Sequence, residues 1–458
     1  MPSISEKIFK SYDIRGLVEG ELSEDVAYRV GRAFVRLLRE EGVDLSEKYV
    51  VVGRDMRPTS SAFQHAVTRG ICDEGGLVMD IGLASTPLFN FACTQYPNHT
   101  GGIMVPASHN PAEYNGFKLT RANGLPVGKG SGMENIRDFV LSGGRRTTDD
   151  GQRTMTLDVL PGYLDKIFFL VPEENIRPLR CVIDYGNGMG SVTFKKLLER
   201  LPITVTSLYE EPDGSFPNHE ANPLKTETLR DLQKKVRDEH ADFGFALDGD
   251  ADRIGLVDEQ GDVVDASYVG ALIGLEVLRA HPQARMLYDL RQSMIVPDVW
   301  RAAGASQVEK TMVGHANIKR VMKEKQAVFA SELSLHLYYH DLSDVESSDL
   351  SFLYIAQMLS RAQRPLSEII APLKKYFHSG EINFEVADKE AVMKKIEDTY
   401  ASDAEEISHL DGVWMKFPWG WVSVRASNTD PVLRLNVEAV AKDVMEEKMR
   451  EVSEMIEG

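Results

Sequence analysis

Short β-branched runs alternate with amphipathic helical stripes through the first third of the chain. That alternation restricts the fold more than any other feature. Val26, Val30, Phe34, Leu37 and Leu38 recur at helical spacing, and Gly42 can end that helix. Tyr49-Val-Val-Val52 follows as a short run of the kind that forms a buried strand. Residues from about 61 to 73 read as helix, stopped by Gly75-Gly76, and 77–81 and 103–105 read as further strands. Strands alternating with helices predict an α/β layer joined mainly by crossovers. The layout recurs without a residue-level repeat. Residues 180–185 read as strand, Gly186-Asn-Gly-Met-Gly190 as a turn and 191–201 as helix; 286–290 is strand-like and leads into a helical pattern from about Ser293. The end differs: Trp414 to Val424 is aromatic and β-rich, and Ala441 to Ile456 is a charged amphipathic helix, which predicts an α+β end domain.

At 458 residues the chain exceeds one ordinary core, so roughly three or four domains are expected. Candidate joints lie near residues 150–160, 258–265 and 368–376, the first marked by the polar segment Ser142 to Gly151. The net charge of −18 argues against a general nucleic-acid binder, and it obliges any anionic ligand to find a locally positive pocket. Cys72, Cys93 and Cys181 are too scattered for a disulfide framework or a zinc site and read as buried thiols in a reducing cytoplasm. No secretory signal opens the chain and no apolar run is long enough to span a bilayer, so neither secretion nor a membrane partner is expected.

Two stretches carry chemistry. In Gly101 to Lys118 an apolar run ends in Ser108, and turn residues follow at once. Asn110-Pro111 forbids helix continuation, and Asn115-Gly116 reads as the turn that brings Lys118 back. A serine hydroxyl is a weak nucleophile that must be activated or kept phosphorylated. His109 is not expected to serve it, because sequence neighbours rarely face one another, and no Gly-x-Ser-x-Gly elbow is present. Taken alone, the segment is also simply a good turn. In the second stretch Asp248, Asp250 and Asp252 alternate, with Arg253 beside them. In a strand they would share a face; in a loop they can wrap one ion, and oxygen ligands suit Mg²⁺. An EF-hand fails because Arg253 stands where its glycine should be and the flanks are strand-like. A solvated acidic loop is the plainer alternative.

Two further segments could bind a substrate. Thr311-Met-Val-Gly-His315 precedes a helical pattern, and its histidine could be structural or an acid/base group with a reference pKa near ~6.5. Arg425-Ala-Ser-Asn-Thr-Asp-Pro431, with Arg434 beyond, offers a guanidinium, hydroxyls, an amide and turn amides for an anion, or is a capped turn. Gly186 to Gly190 hints at a dinucleotide turn, but Ser191 takes the place of the last glycine.

Ala107-Ser-His-Asn-Pro111 with Glu113-Tyr-Asn-Gly-Phe-Lys118, and Asp248-Gly-Asp-Ala-Asp-Arg253, resemble the active-site loops of the α-D-phosphohexomutase family, most closely its phosphomannomutase/phosphoglucomutase branch. The resemblance runs from about Phe9 to about Glu438. It implies three related α/β domains and a smaller C-terminal α+β domain around a central active-site cleft, with boundaries at 1–155, 156–260, 261–370 and 371–458. It implies that Ser108 is carried as phosphoserine and shares one Mg²⁺ with Asp248, Asp250 and Asp252. Lys118 would stabilise the transferring group or relay a proton, His315 is an acid/base candidate, and Arg15 of Tyr12-Asp-Ile-Arg15-Gly16 would face the same site. Arg253, Glu332, Ser334 and His336 would contact substrate. Arg425, Ser427, Asn428, Thr429 and Arg434 would hold the phosphate that is not being transferred.

The family's Gly-Glu-x-Ser-Gly-His is here Ser331-Glu-Leu-Ser-Leu-His336, so both glycines are replaced, and the acidic-glycine segment that follows is Glu346-Ser-Ser-Asp349. Glycine there would allow close backbone approach to the sugar. The implied reaction is reversible transfer between the 1- and 6-positions of mannose or glucose phosphates, with hexose 1,6-bisphosphate as intermediate and activator, by a monomer or small homo-oligomer. The alternatives are a phosphoglucosamine mutase or a mutase of altered sugar specificity, a phosphatase using the same serine, and a non-catalytic sugar-phosphate-binding protein.

Overall fold

The computed structural model describes residues 4–143, 153–427 and 432–458. Two compact units divide the chain, Met1–Val264 with Ser334–Ser367 and Asp265–Leu333 with Glu368–Gly458.

In the first unit the leading apolar stripe becomes the helix Glu24–Glu40, started by Ser23, whose hydroxyl accepts from the Val26 amide. Val26, Val30 and Phe34 share one core with Phe63 and Val67 of the helix Ser60–Asp73 and with strand residues Val50, Val52 and Ile103. The sheet beneath runs in the order Ile14–Leu17, Tyr114–Arg121, His99–Val105, Tyr49–Arg54, Leu77–Leu83, Thr154–Thr156. The four strands from His99–Val105 to Thr154–Thr156 are parallel, joined by crossovers, and the two at the other edge are antiparallel. Asn115-Gly116 corrects the sequence reading. It lies inside the strand Tyr114–Arg121, paired with Arg15 and Gly16, and the chain reverses earlier, over 106–113.

The second sheet of this unit is ordered Ile254–Asp258, Phe243–Leu247, Leu179–Asp184, Ile203–Leu208. Its last three strands are parallel, and the first closes an antiparallel hairpin with Phe243–Leu247. The helix after Leu179–Asp184 runs over Gly190–Leu198, shorter than the expected 191–201 because Pro202 disfavours helical backbone at Leu201. Phe352 of the helix Ser348–Ala362 packs on Phe194, Phe243 and Phe245 at 5.2–5.8 Å between ring centroids.

In the second unit Gln307–Thr311, Arg285–Asp289 and Phe329–Ser331 form parallel pairs, accompanied by helices Ala266–Ala280 and Ile295–Ala302. The β-rich end becomes an antiparallel sheet in the order Phe377–His378, Leu433–Ala439, Gly420–Ala426, Val413–Phe417, Glu406–Ser408. Ile382–Phe384 also pairs with Leu433–Ala439, and the terminal helix is Lys442–Glu457. No helix among the described residues is long and apolar enough to cross a membrane.

Candidate active site

Ser108 follows the strand His99–Val105 and turns with φ 49°, a left-handed value that a serine adopts only under local constraint. It is buried, and its hydroxyl donates to Asp248 Oδ2 at 3.1 Å. The same oxygen lies 3.1 Å from His109 Nδ1, so these neighbours do face each other, contrary to the sequence reading, because the left-handed turn folds one side chain onto the next. His109 is nonetheless a poor proton acceptor. Burial, then the charges of Arg253 and Arg15, push its pKa down to about 2.

Asp248, Asp250 and Asp252 occupy the hairpin loop after Phe243–Leu247, all buried, with one ligand oxygen from each within 4.8 Å of the others. Asp248 Oδ1 accepts from the amides of Asp252 and Arg253 at 3.0 and 3.2 Å. Asp250 Oδ2 accepts from Lys118 Nζ at 2.5 Å and Thr86 Oγ1 at 2.6 Å, while its Oδ1 is buried without a hydrogen-bond partner. Lys118 also donates to Asp252 Oδ2 at 2.8 Å. Burial, reinforced by Asp252 and Asp250, pushes the Asp248 carboxyl well up, a penalty that a cation would relieve. Burial opposes the charge on Lys118, but Asp250 and Asp252 outweigh it and raise its pKa, so the ammonium stays charged. Three converging carboxylates, with Asp250 Oδ1 and Asp252 Oδ1 buried and accepting no hydrogen bond, fit a hard divalent cation such as Mg²⁺.

Other expected residues gather on these loops. Arg253 Nε lies 3.2 Å from His336 Nε2, which is 3.3 Å from Asp252 Oδ1. His336 Nδ1 meets Ser334 Oγ at 2.8 Å. Arg15 donates to Asn110 Oδ1 at 2.6 Å and pairs with Asp13 at 2.5 Å. The first unit therefore brings together Ser108, Lys118, the three aspartates, Arg253, Ser334, His336 and Arg15.

The second unit holds the others. His315 opens the helix His315–Lys325. Glu332 Oε1 accepts from the Gly314 amide at 3.1 Å and lies 3.5 Å from Arg291. Arg425 and Arg434 are register partners on adjacent strands, and the Ser427 amide donates to the Val432 carbonyl at 2.9 Å. Asn428 and Thr429 lie outside the described residues. The two replaced glycines differ locally, the serine in ordinary backbone and the leucine in a left-handed one that strains it. Ser331 turns its hydroxyl into the core, donating to Gln292 at 2.7 Å, and Leu335 keeps a glycine-like φ of 67°.

Four domain profiles of the phosphoglucomutase/phosphomannomutase family match in order: α/β/α domain I over residues 6–144, domain II over 161–261, domain III over 265–376 and the C-terminal domain over 381–455. The chain belongs to this family. It is a phosphohexomutase, an intramolecular phosphotransferase of the isomerase class. Phosphomannomutases from Salmonella montevideo and Vibrio cholerae are 34% and 35% identical, each match covering 98% of both chains. One from Methanocaldococcus jannaschii is 33% identical over 98% of this chain and 97% of its own. Among solved structures, a phosphoglucomutase/phosphomannomutase family protein from Burkholderia thailandensis superposes with a TM-score of 0.89 at 29% identity, covering 98% of this chain and 97% of that one.

Several residues that hold these loops escaped the sequence reading. Arg57 is buried and donates to the carbonyls of Ser108, Asn110, Pro111 and Tyr114. Thr86 ties the start of its helix to Asp250 through both hydroxyl and amide. The turn Gly186 to Gly190 backs the aspartate loop, with the Met189 amide donating to the Gly249 carbonyl at 2.9 Å. A Cβ on Gly188 would sit 2.9 Å from the Asp248 and Gly249 carbonyl oxygens, so this glycine serves close packing.

The altered segment Glu346 to Asp349 is buried scaffold. Ser348 Oγ donates to the Ala251 carbonyl at 2.6 Å, and Tyr163 donates to Asp349 Oδ2 at 2.8 Å. Burial pushes the Asp349 carboxyl up to about 6, partly offset by the Thr193 and Tyr163 hydroxyls. Its folded pKa exceeds the unfolded value of about 3.9, so the folded state holds the extra proton between these limits. Stability then falls as pH rises through that window, by about 3 kcal/mol in total, and stays lower above it. Asp349→Asn should therefore raise the melting temperature at pH 8 while leaving it nearly unchanged at pH 4. Equal shifts at both pH values would show that Asp349 is not buried as a strained carboxylate.

Proposed function

We propose that the chain moves a phosphate reversibly between the 1- and 6-positions of mannose and glucose through phospho-Ser108 and a bound hexose 1,6-bisphosphate. The observation that carries this reading is the 3.1 Å approach of Ser108 Oγ to Asp248 within a buried cluster of three carboxylates and Lys118. His109 is too weak a base to activate this serine, which suits a group carried phosphorylated.

A sugar hydroxyl oxygen bonds to the phosphorus of phospho-Ser108 and gives its proton to a base, while the bond from phosphorus to Oγ breaks and Oγ, keeping the electron pair, takes up a proton. The bisphosphate turns around, and its other phosphate returns to Oγ by the reverse step. Lys118, which donates to Asp250 and Asp252, supplies positive charge beside the transferring group, and His315 is the candidate for the proton transfer. Asp248, Asp250, Asp252 and Ser108 would hold Mg²⁺, which when bound neutralises charge on the transferring group. Arg425, Ser427, Asn428, Thr429 and Arg434 hold the resting phosphate, and Glu332, Ser334, His336, Arg253 and Arg15 the rest of the substrate. Mannose and glucose differ only at C2, so recognition at C3 and C4 by Glu332 and Ser334 serves both. The boundaries at 155, 260 and 370 and a cytoplasmic setting, which suits three buried cysteines, belong to the same reading.

The test is an assay with Mg²⁺, a trace of glucose 1,6-bisphosphate, and mannose 1-phosphate or glucose 1-phosphate. The 6-phosphate should form, and peptide mass spectrometry should find the phosphoryl group on Ser108. Steady release of inorganic phosphate without 6-phosphate would make the protein a phosphatase. Preference for glucosamine 1-phosphate would reassign the sugar, and binding without turnover would make it a non-catalytic binder.

A further inference from the structure

Arg425 and Arg434 stand directly opposite each other on the antiparallel strands Gly420–Ala426 and Leu433–Ala439. Like charges so placed repel, and the Arg425 side chain is 2% exposed, so water does little to screen them. One carboxylate answers this. Glu381 immediately precedes Ile382–Phe384, the strand paired with Leu433–Ala439. Its Oε1 lies 2.9 Å from Arg434 NH1, and its Oε2 accepts from Arg425 NH2 at 2.9 Å and from Arg291 NH1 at 3.4 Å. Arg291 is fixed in turn by Asp289, at 2.6 Å from NH2 and 3.1 Å from Nε.

We infer that Glu381 is a positioning residue that sets the guanidiniums of Arg425 and Arg434 side by side to receive the phosphate of a hexose phosphate. The inference rests on the proposed function for the substrate, but not for the geometry. Each guanidinium carries five N–H donors, Glu381 takes one from Arg425 and one from Arg434, and Arg425 Nε is buried with no hydrogen-bond partner among the described residues, a donor an anion can take. Burial works to raise the Glu381 carboxyl, but Arg291, Arg425 and Arg434 outweigh it and hold the group ionised. A neutral amide in its place would point N–H groups at one of the guanidiniums and let the two arginines part.

The experiment compares wild type, Glu381→Gln, Arg425→Gln and the double variant by calorimetric titration with inorganic phosphate and by turnover of glucose 1-phosphate. Glu381→Gln should weaken phosphate binding and raise KM by about tenfold, with kcat changed far less. The double variant should bind no more weakly than Arg425→Gln alone, because both changes disable one site. Unchanged or tighter phosphate binding by Glu381→Gln, or additive losses in the double variant, would overturn the inference. If Glu381→Gln does not fold, Glu381→Asp decides. It keeps the charge one methylene short and should weaken phosphate binding severalfold; wild-type affinity would overturn the inference. A wild type that binds phosphate without turning over any hexose phosphate, alongside a Glu381→Gln that loses binding, would sink the mutase reading and leave this one standing.

Discussion

Ser108→Ala is expected to cut interconversion at least about 10³-fold, and Gly249→Ala on the order of 10²-fold although it removes no reacting atom. The first follows from the loss of the oxygen that carries the phosphoryl group in the proposed reaction. The second follows from packing. A Cβ on Gly249 would lie 2.3 Å from the Ser108 carbonyl oxygen and 3.0 Å from its carbon, contacts that backbone cannot tolerate. The aspartate loop cannot retreat, since the Met189 amide holds the Gly249 carbonyl at 2.9 Å and Gly188 packs on the same oxygen. The serine loop must move instead, and the 3.1 Å contact from Ser108 to Asp248 opens. A misplacement of about 1 Å at a reacting centre costs on the order of 10²-fold. Both variants should still bind hexose phosphate, and neither should acquire phosphoserine at the wild-type rate by mass spectrometry. Wild-type kcat in Gly249→Ala would show that the two loops are not in rigid contact. Turnover by Ser108→Ala would show that another group carries the phosphate.

The parts of this site that sequence reading reached are those whose meaning lies in one short segment. Asp248, Asp250 and Asp252 alternate within five residues, and the hairpin that carries them has apolar strands on both sides. The stripe from Val26 to Leu38 announces a helix by its period alone, and the structure adds only the cap at Ser23. Asn115-Gly116 misled because the dipeptide favours turns in isolation. In the folded chain Gly116 lies where a Cβ would be 2.2 Å from the Ile14 carbonyl, and pairing with Ile14–Leu17 overrides the local preference. Ser331 replaces a family glycine, and nothing in its own segment shows that its hydroxyl turns to Gln292. Arg57 and Glu381 were illegible for a related reason. Arg57 holds carbonyls more than 50 positions away, and Glu381 joins arginines 90 positions before and 44 after it. A lone charged residue in a sequence does not show which distant backbone groups need it.

Arg57→Met should lose about 3–5 kcal/mol of stability, roughly 5 °C in melting temperature, and lower kcat well beyond what the stability loss explains. The arginine has two sets of partners. On one side it pairs with Asp55 at 3.2 Å, a carboxylate that also accepts from the amides of Arg57 and Ala107 and from Ser60. Burial already raises the Asp55 pKa, with Arg57 the strongest force against that rise. Removing the guanidinium leaves a buried acid without its counter-charge, and the stability cost follows. On the other side four carbonyls of the serine loop accept from Arg57 at 2.5–3.1 Å, while the Phe216 ring lies 5.1 Å from the guanidinium carbon. These contacts fix the loop at Ser108, Asn110, Pro111 and Tyr114, so their loss releases the serine from its place beside Asp248. Arg57→Lys separates the two effects. A lysine can still pair with Asp55, but its compact ammonium cannot span carbonyls that a planar fork reaches together. It should recover most of the melting temperature and little of kcat, with KM for glucose 1-phosphate almost unchanged because no sugar contact is touched. Full recovery of kcat by lysine would reduce Arg57 to a counter-ion for Asp55. Wild-type kcat in Arg57→Met would remove it from the site altogether.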